Sequence, residues 1–397
     1  MQKWKSTAWL TEERLNVYPR LLTILYVMGF LIWIVLSTGN VDIFGRPLGT
    51  DFVSFYAAAK LAMEGAPYLA YDLAAHYEAE QLIIGSRGFG YPSFSYPPTY
   101  ITLVYPLAYL PYLWALLVFQ LSSLAFFVAM IRKLTNRKES IMLCLSFPAV
   151  FITLGYGQNA LLTAALIAGA FVYIDRRPIL AGFFIGILTF KPHLGILIPL
   201  ILVCSGRWRV FLFATLTFFL FALVSYIAFG PETWLAFWDG RELVKRVLHE
   251  ELVSYDIMQS VFTAMRASGV GIFTSYFLHF VVASVPLYIV IRVWSDNVDL
   301  RLQIAVFIIV TLMVSPYILN YDFTILSVAI AALASYGLDK GFHSGQINML
   351  FVAWLAPALI RPLNALIAFP WATAILFSLL FYVITSIRIP TNNLSRK

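Results

Sequence analysis

The residues able to do chemistry in this chain are few, and they stand out because their neighbours are apolar. Asp51 sits in Gly49-Thr50-Asp51-Phe52, and Gln158-Asn159 lies at a turn between two apolar runs. Lys191 and His193 flank Pro192 between the apolar stretches 185–190 and 194–200. Tyr96 precedes Pro97-Pro98; Gln259, Ser260 and Arg266 follow later, and then Asn320-Tyr321-Asp322. Ionisable groups in such surroundings are costly, so each needs a partner or a job. A carboxylate with cations opposite it suits a reaction in which a hydroxyl loses its proton while a phosphate leaves. Each residue also has a plainer reading. Asp51, Gln158, Asn159 and Asp322 suit helix caps, and Arg241 and Arg361 suit ordinary loop or snorkelling positions.

Other chemistries lack their residues. There is no Gly-rich phosphate loop, no His-Glu-x-x-His helix and no Cys-x-x-Cys pair. His76, His249, His279 and His343 have no metal-ligand spacing, so no metal site and no cofactor is expected. Cys144 and Cys204 lie inside apolar runs, where a thiol behaves as a small hydrophobe.

The elements that must position these groups are membrane helices. The 397 residues are 61% hydrophobic and 12% charged, far from the balance of a soluble domain. The excess of Lys and Arg over Asp and Glu, 27 against 20, fits cytoplasmic loops better than a nucleic-acid surface. About 12 helical spans are expected, at 20–38, 112–131, 140–154, 158–174, 178–190, 193–205, 209–229, 271–292, 302–316, 321–337, 346–360 and 366–388. The first reads as a retained span rather than a cleaved signal.

Segment 97–110, bounded by prolines, reads as re-entrant. That choice puts most Lys and Arg, and both termini, in the cytoplasm. It also gathers the polar residues above on the opposite face, with outer loops at 39–96 and 230–270. Aromatic residues of the first loop suit the membrane interface. In the second, Trp234, Trp238, Arg241, Lys245, Arg246 and His249 suit an amphipathic helix lying flat over 231–250. The whole of 1–397 reads as one integral membrane domain. A transporter or lipid flippase is the rival expectation, but it favours a site at the bilayer middle and two related halves. Neither is evident here.

Five motifs in order carry a family resemblance: Asp51-Phe52-Val53-Ser54-Phe55-Tyr56 with Gly65 and Tyr71-Asp72, Tyr96-Pro97-Pro98, Gly157-Gln158-Asn159, Lys191-Pro192-His193 and Ser315-Pro316. Together they resemble glycosyltransferase family 87. The resemblance implies the GT-C fold, an all-α bundle of membrane helices with a re-entrant segment and interfacial helices in outer loops. It implies transfer of a hexose, mannose first, from a polyprenyl-phosphate donor to a glycan or lipid hydroxyl at the periplasmic face of a bacterial inner membrane. By that resemblance Asp51 is the general base, and Lys191, His193 and Arg266 hold the donor phosphate. Tyr96, Gln158, Asn159, Gln259, Tyr321 and Asp322 then contact substrate. Some members carry a His pair after the Ser-Pro motif, where this chain reads Tyr317-Ile318-Leu319-Asn320-Tyr321-Asp322. Glucose and aminoarabinose therefore stay open as alternative sugars.

Overall fold

Proline and glycine placed every dozen or so apolar residues make the chain fold as helices that stop, turn and restart. A computed structural model describes residues 12–242, 246, 249–250, 254–367 and 369–388, and these contain helices and isolated bridges but no strand. Helices α1 (Glu12–Val35), α2 (Phe52–Met63) and α3 (Leu73–Ile84) come first. Then follow α4 (Pro98–Val104), α5 (Tyr112–Thr135), α6 (Glu139–Leu145) and α7 (Pro148–Tyr156). The middle of the chain holds α8 (Ala160–Tyr173), α9 (Pro178–Leu188), α10 (Pro192–Gly195), α11 (Ile198–Cys204) and α12 (Trp208–Asp239). Helix α13 (Val261–Ala267) precedes α14 (Ile272–Ser295) and α15 (Leu300–Val314). The last three are α16 (Leu326–Lys340), α17 (Gln346–Leu366) and α18 (Trp371–Arg388).

Every expected span is helical, but not every one is long. Among the described residues, six stretches are long and apolar enough to cross a membrane: α1, α5, α12, α14, α17 and 320–340, in which a 3₁₀ turn runs into α16. The pair α6–α7, bent by 53° before Pro148, makes a seventh if it counts as one span. The expected spans at 158–174, 178–190, 302–316 and 366–388 hold apolar helical stretches of 10–17 residues, and 193–205 is the broken pair α10–α11. A 14-residue helix reaches about 21 Å, short of a hydrocarbon core of about 30 Å. Burial explains how they persist. In α15 every residue from Leu302 to Met313 is buried, and α8 is buried along most of its length. Protein surrounds these helices, whereas α1 turns Leu21, Ile24, Leu25, Met28, Leu31 and Ile32 outward.

The outer segments differ from their expected lie. In the first loop, α2 is almost wholly buried, so Phe52, Phe55 and Tyr56 pack in the core rather than at an interface. Segment 97–110 is α4 followed by a 3₁₀ turn at Tyr105–Tyr109, too short to cross. In the second loop the backbone breaks at Gly230 (φ 77°, ψ 167°) and the helix resumes from Pro231 to Asp239. Leu235 and Trp238 face outward there, with the Arg241 guanidinium over the Trp238 ring at 3.1 Å. Lys245 lies outside the described residues.

Two ends of the bundle are chemically distinct. At one end Arg137 and Arg301 converge on Asp339 at 2.8 and 2.5 Å, and Arg207 pairs with Asp175 at 2.9 Å. At the other lie Asp51, Asn159, Lys191 and Asp322, beside the opposite termini of α2, α8, α9 and α16. Helix α9 seats against α12 through the small-residue pattern Gly182-x-x-x-Gly186. A Cβ added at Gly182 would fall 2.5 Å from Phe213 Cβ, and one at Gly186 would fall 2.4 Å from Thr217 Cβ. Membrane helices lack a hydrophobic drive to associate, so such close approach supplies the packing energy. Gly186→Leu is therefore expected to pry α9 from α12 and lower the unfolding temperature in detergent by several degrees, an effect on the order of 1–3 kcal/mol of overpacking. An unchanged melt would mean the contact is dispensable.

Candidate active site

The site is built on a turn held against another turn. Asp51 begins α2, and its backbone N–H donates to the Tyr156 carbonyl at 2.8 Å. The hydroxyl of Tyr112, at the head of α5, donates to the Leu48 carbonyl at 2.6 Å. Gly157 closes α7 with φ 69°, a conformation that disfavours a side chain. Space forbids one as well: a Cβ there would lie 2.9 Å from Gly49 Cα and 2.7 Å from Phe52 Cβ. Two glycine backbones thus touch, and this contact brings Gln158 alongside Asp51.

From there a chain of side-chain bonds crosses the bundle. Gln158 Nε2 donates to Asp51 Oδ2 at 3.0 Å, while Gln158 Oε1 accepts from the Asn159 N–H at 2.7 Å and from Tyr96 OH at 3.3 Å. Lys191 Nζ donates to Asn159 Oδ1 at 3.2 Å and to Asp322 Oδ1 at 2.6 Å. Asp322 Oδ2 accepts the Leu319 N–H at 3.0 Å. The Tyr321 ring covers Lys191, its centroid 5.1 Å from Nζ, and meets the Tyr156 ring edge-on at 6.2 Å.

Several of the plainer readings change accordingly. Neither Asp51 nor Asn159 makes a side-chain cap to its helix, so both are spent on the network. Asp322 does tie down its own turn, but its second oxygen holds Lys191. The three expected cations separate. Lys191 alone joins the network. The His193 ring lies 6.2 Å from the Tyr317 ring with a buried Nε2 that has no protein partner. Arg266 donates to the carbonyls of Val270 and His249 at 2.8 and 3.3 Å. Gln259 stands on the far side of segment 316–322, its backbone N–H on the Ile318 carbonyl and its side chain accepting from Asn364.

The electrostatics favour a base at Asp51. Its carboxyl is only partly covered, yet it loses enough water that its pKa is pushed up to about 6. The Gln158 hydrogen bond and the Lys191 charge pull it down and the Asp322 charge pushes it up, each less than desolvation. One turn further along α2, the Ser54 carbonyl accepts from His76 Nε2 at 3.1 Å, which leaves His76 Nδ1 to accept a hydrogen bond from the Tyr91 hydroxyl at 3.0 Å. Glu80 lies 3.4 Å from His76, and both are fully buried. Desolvation lowers His76 to about 4 and raises Glu80 to about 9, so between those values the pair is neutral. Sequence reasoning missed Tyr112, Tyr156 and Gln120, whose Nε2 donates to the Gln158 carbonyl at 3.3 Å. A lone amide inside the apolar run of α5 was the available signal.

The model of glycosyltransferase family 87 matches residues 94–316, over half of the chain. That stretch includes Tyr96, Gln158, Asn159, Lys191, His193, Gln259 and Arg266, while Asp51, Tyr321 and Asp322 lie outside it. No curated protein and no solved structure matches.

The Lys191–Asp322 pair is buried on both sides, with 4% and 1% of the side chains exposed. Lys191→Met or Asp322→Leu alone strands a buried charge and is expected to cost about 3–5 kcal/mol. The double substitution removes both charges and is expected to recover most of that loss in denaturant unfolding. A double variant as unstable as the sum of the singles would show that the two charges do not compensate one another.

Proposed function

Since the chain belongs to glycosyltransferase family 87 and is by that membership a membrane glycosyltransferase, we propose that it moves a hexose, mannose first, from a polyprenyl-phosphate donor to an acceptor hydroxyl on a glycan or lipid. The observation that supports this reading is the bonded path Asp51–Gln158–Asn159–Lys191–Asp322, which joins a carboxylate and a buried cation in one cluster.

The reaction is a single inverting displacement. Asp51 takes the proton of the acceptor hydroxyl, the oxygen bonds to the anomeric carbon, and the bond from that carbon to the phosphate oxygen breaks. The sugar passes through a cation-like state that a nearby carboxylate also stabilises. Polyprenyl phosphate leaves with added negative charge, which Lys191 neutralises as it forms, an interaction stronger in the transition state than before it. To do so Lys191 must turn from Asp322 to the phosphate. His193 is two residues along the same turn and supplies a second contact; Arg266 reaches the phosphate only by releasing its two carbonyls. Tyr96, Gln158, Asn159, Gln259, Tyr321 and Asp322 shape the substrate space. A lipid monophosphate carries no chelated metal, so EDTA is expected to leave transfer unchanged.

The fold reading that goes with this is the GT-C type, with the short buried helices completing about 12 crossings. Placing the Arg137, Arg207 and Arg301 end in the cytoplasm satisfies the positive-inside rule. Both termini then face the cytoplasm and Asp51 faces the periplasm of a bacterial inner membrane.

Membranes containing the protein are expected to transfer label from a radioactive polyprenyl-phosphate hexose, tried as mannose, glucose and galactose, with an aminoarabinose donor as a further arm. Asp51→Asn should reduce transfer by about two to four orders of magnitude while preserving donor binding. Transfer by the variant at the wild-type rate would remove Asp51 from the mechanism. The base acts only when ionised, so the rate should rise with pH through an apparent pKa of about 6 and fall below it. A rate flat from pH 5 to pH 8 would contradict a base with that ionisation.

A further inference from the structure

At the end of the bundle away from Asp51, acids answer three arginines: Asp339 pairs with Arg137 and Arg301, and Asp175 with Arg207. Two other cations there meet a tyrosine instead. Lys133, in the last turn of α5, donates from Nζ to the Tyr173 hydroxyl at 2.7 Å, with the ring centroid 5.4 Å away. Arg177, at the head of α9, holds its guanidinium carbon 5.8 Å from the same centroid. Both cations are exposed, and among the described residues neither meets a carboxylate. Asp175 is only two residues from Arg177, yet it faces Arg207. The Tyr173 hydroxyl accepts from Lys133 and has no other partner among the described residues, so its own proton is free to be donated.

The packing of α8 brings these three groups together. It lies against both α5 and α9. At Gly169 the approach is close, since a Cβ there would fall 2.8 Å from the Phe184 ring of α9 and 3.3 Å from Met130 Sδ of α5. One turn later α8 ends at Tyr173, which therefore emerges at the seam between its two neighbours. Phe184 lines that seam, its ring 5.6 Å from Phe126 of α5 and 6.2 Å from Tyr173. The Arg177 N–H donates to the Tyr173 carbonyl at 2.9 Å, which ties Arg177 to the ring it shares with Lys133. Next to the cations the outward faces turn apolar at once, with Ile179 and Phe183 exposed on α9 and Ala125 and Ala129 on α5.

We propose that Lys133, Tyr173 and Arg177 form a binding site for the phosphodiester of an anionic glycerophospholipid, in the leaflet at this end of the bundle. An ammonium and a guanidinium from neighbouring helices, with a hydroxyl between them, supply charged donors to more than one oxygen of a phosphate. Basic pockets between membrane helices suit such headgroups. A zwitterionic headgroup carries its own ammonium beside the phosphate, which the two cations repel, so a lipid of net negative charge is favoured. A soluble phosphate meets the same donors but gains nothing from Ile179 and Phe183, where acyl chains lie. That step from charge to apolar surface selects the lipid. The site is separate from the reaction cluster and does not depend on sugar transfer. It bears on that cluster through the frame. Helix α8 runs from beside Asn159 to Tyr173, and α9 from beside Arg177 to just short of Lys191, so a bound headgroup clamps the far ends of the two helices that carry this bonded pair.

The test uses full-length protein in a non-ionic detergent, titrated with dioctanoyl phosphatidylglycerol, dioctanoyl phosphatidylcholine and glycerophosphoglycerol, the last being the anionic headgroup without chains. Calorimetry reads affinity and native mass spectrometry reads the number of lipids retained. The expected result is one saturable phosphatidylglycerol site, about tenfold or more tighter than phosphatidylcholine, with the chainless headgroup weaker still. Lys133→Gln/Arg177→Gln is expected to weaken phosphatidylglycerol about tenfold or more. Lys138→Gln/Arg209→Gln removes the same charge from exposed positions beside Arg137 and Arg207, and is expected to change the affinity less than about twofold. Tyr173→Phe keeps the ring and both charges, so its expected loss of about fivefold reads the hydroxyl even where the first double variant does not fold. Equal affinity for the two lipids, absence of saturation, or equal losses in the two double variants overturns the proposal and leaves a general attraction of a basic surface for anions. Undiminished binding by Tyr173→Phe likewise removes the site from this seam. Glycerophosphoglycerol binding as tightly as the lipid overturns the lipid assignment in favour of a soluble phosphate.

Discussion

An ammonium group buried among apolar helices has to be neutralised where it lies, and in this protein that requirement falls on Lys191. Asp322 answers the charge and Asn159 Oδ1 accepts a second N–H, so that α8, the α9–α10 turn and the head of α16 are held to one point. Asn159 is covalently next to Gln158, and Gln158 reaches Asp51. The position of Asp51 at the head of α2 therefore depends on a charge pair reached through Gln158 and Asn159. Such a pair adds little net stability. What it does fix is the meeting point of three segments, since Lys191, Asn159 and Asp322 bond only where α8, the α9–α10 turn and the head of α16 come together.

The same pair sets the state of the enzyme before substrate arrives. Lys191 is committed to Asp322 in the structure, so under the proposed mechanism a donor phosphate would compete with a carboxylate rather than with water. That exchange is between two anions in a site already stripped of solvent, which limits the desolvation that remains to be done when the phosphate binds. The His76–Glu80 pair behind α2 behaves differently. It is buried without net charge, and through Ser54 it steadies the helix that carries Asp51.

Much of this arrangement was legible in the residues. The all-helical membrane class followed from apolar content, and the stretches marked out by apolar length are helical, though 140–154 and 193–205 are each broken into two helices. Asp51, Gln158, Asn159, Lys191 and Asp322 stood out because polar groups are rare in such runs, and the structure brings all five together. Tyr96 joins them through Gln158. Span number was less legible, since apolar length cannot separate a helix facing lipid from one enclosed by other helices; α8 and α15 are of the second kind. His193 and Arg266 were grouped with Lys191 through the family resemblance and their charge, and neither reveals that Arg266 is engaged by carbonyls of its own loop. The contact of Gly49 with Gly157 joins segments a hundred residues apart, and nothing local in either segment announces the other.

The short buried helices bear on how the protein enters its membrane. A helix such as α8 or α15 is too brief to rest in lipid by itself, because its ends would leave backbone groups facing hydrocarbon. Insertion one span at a time, each helix equilibrating with the bilayer before the next emerges, therefore does not suit this chain. The long helices α1, α5, α12 and α14 can settle singly. The short ones have to wait beside the insertion machinery, or in a water-filled vestibule, until α5, α9 and α16 close around them. Assembly of the catalytic turns would then be a late event in biogenesis, coupled to completion of the C-terminal helices, and a ribosome-bound fragment ending before Asp322 would hold Lys191 with no counter-charge.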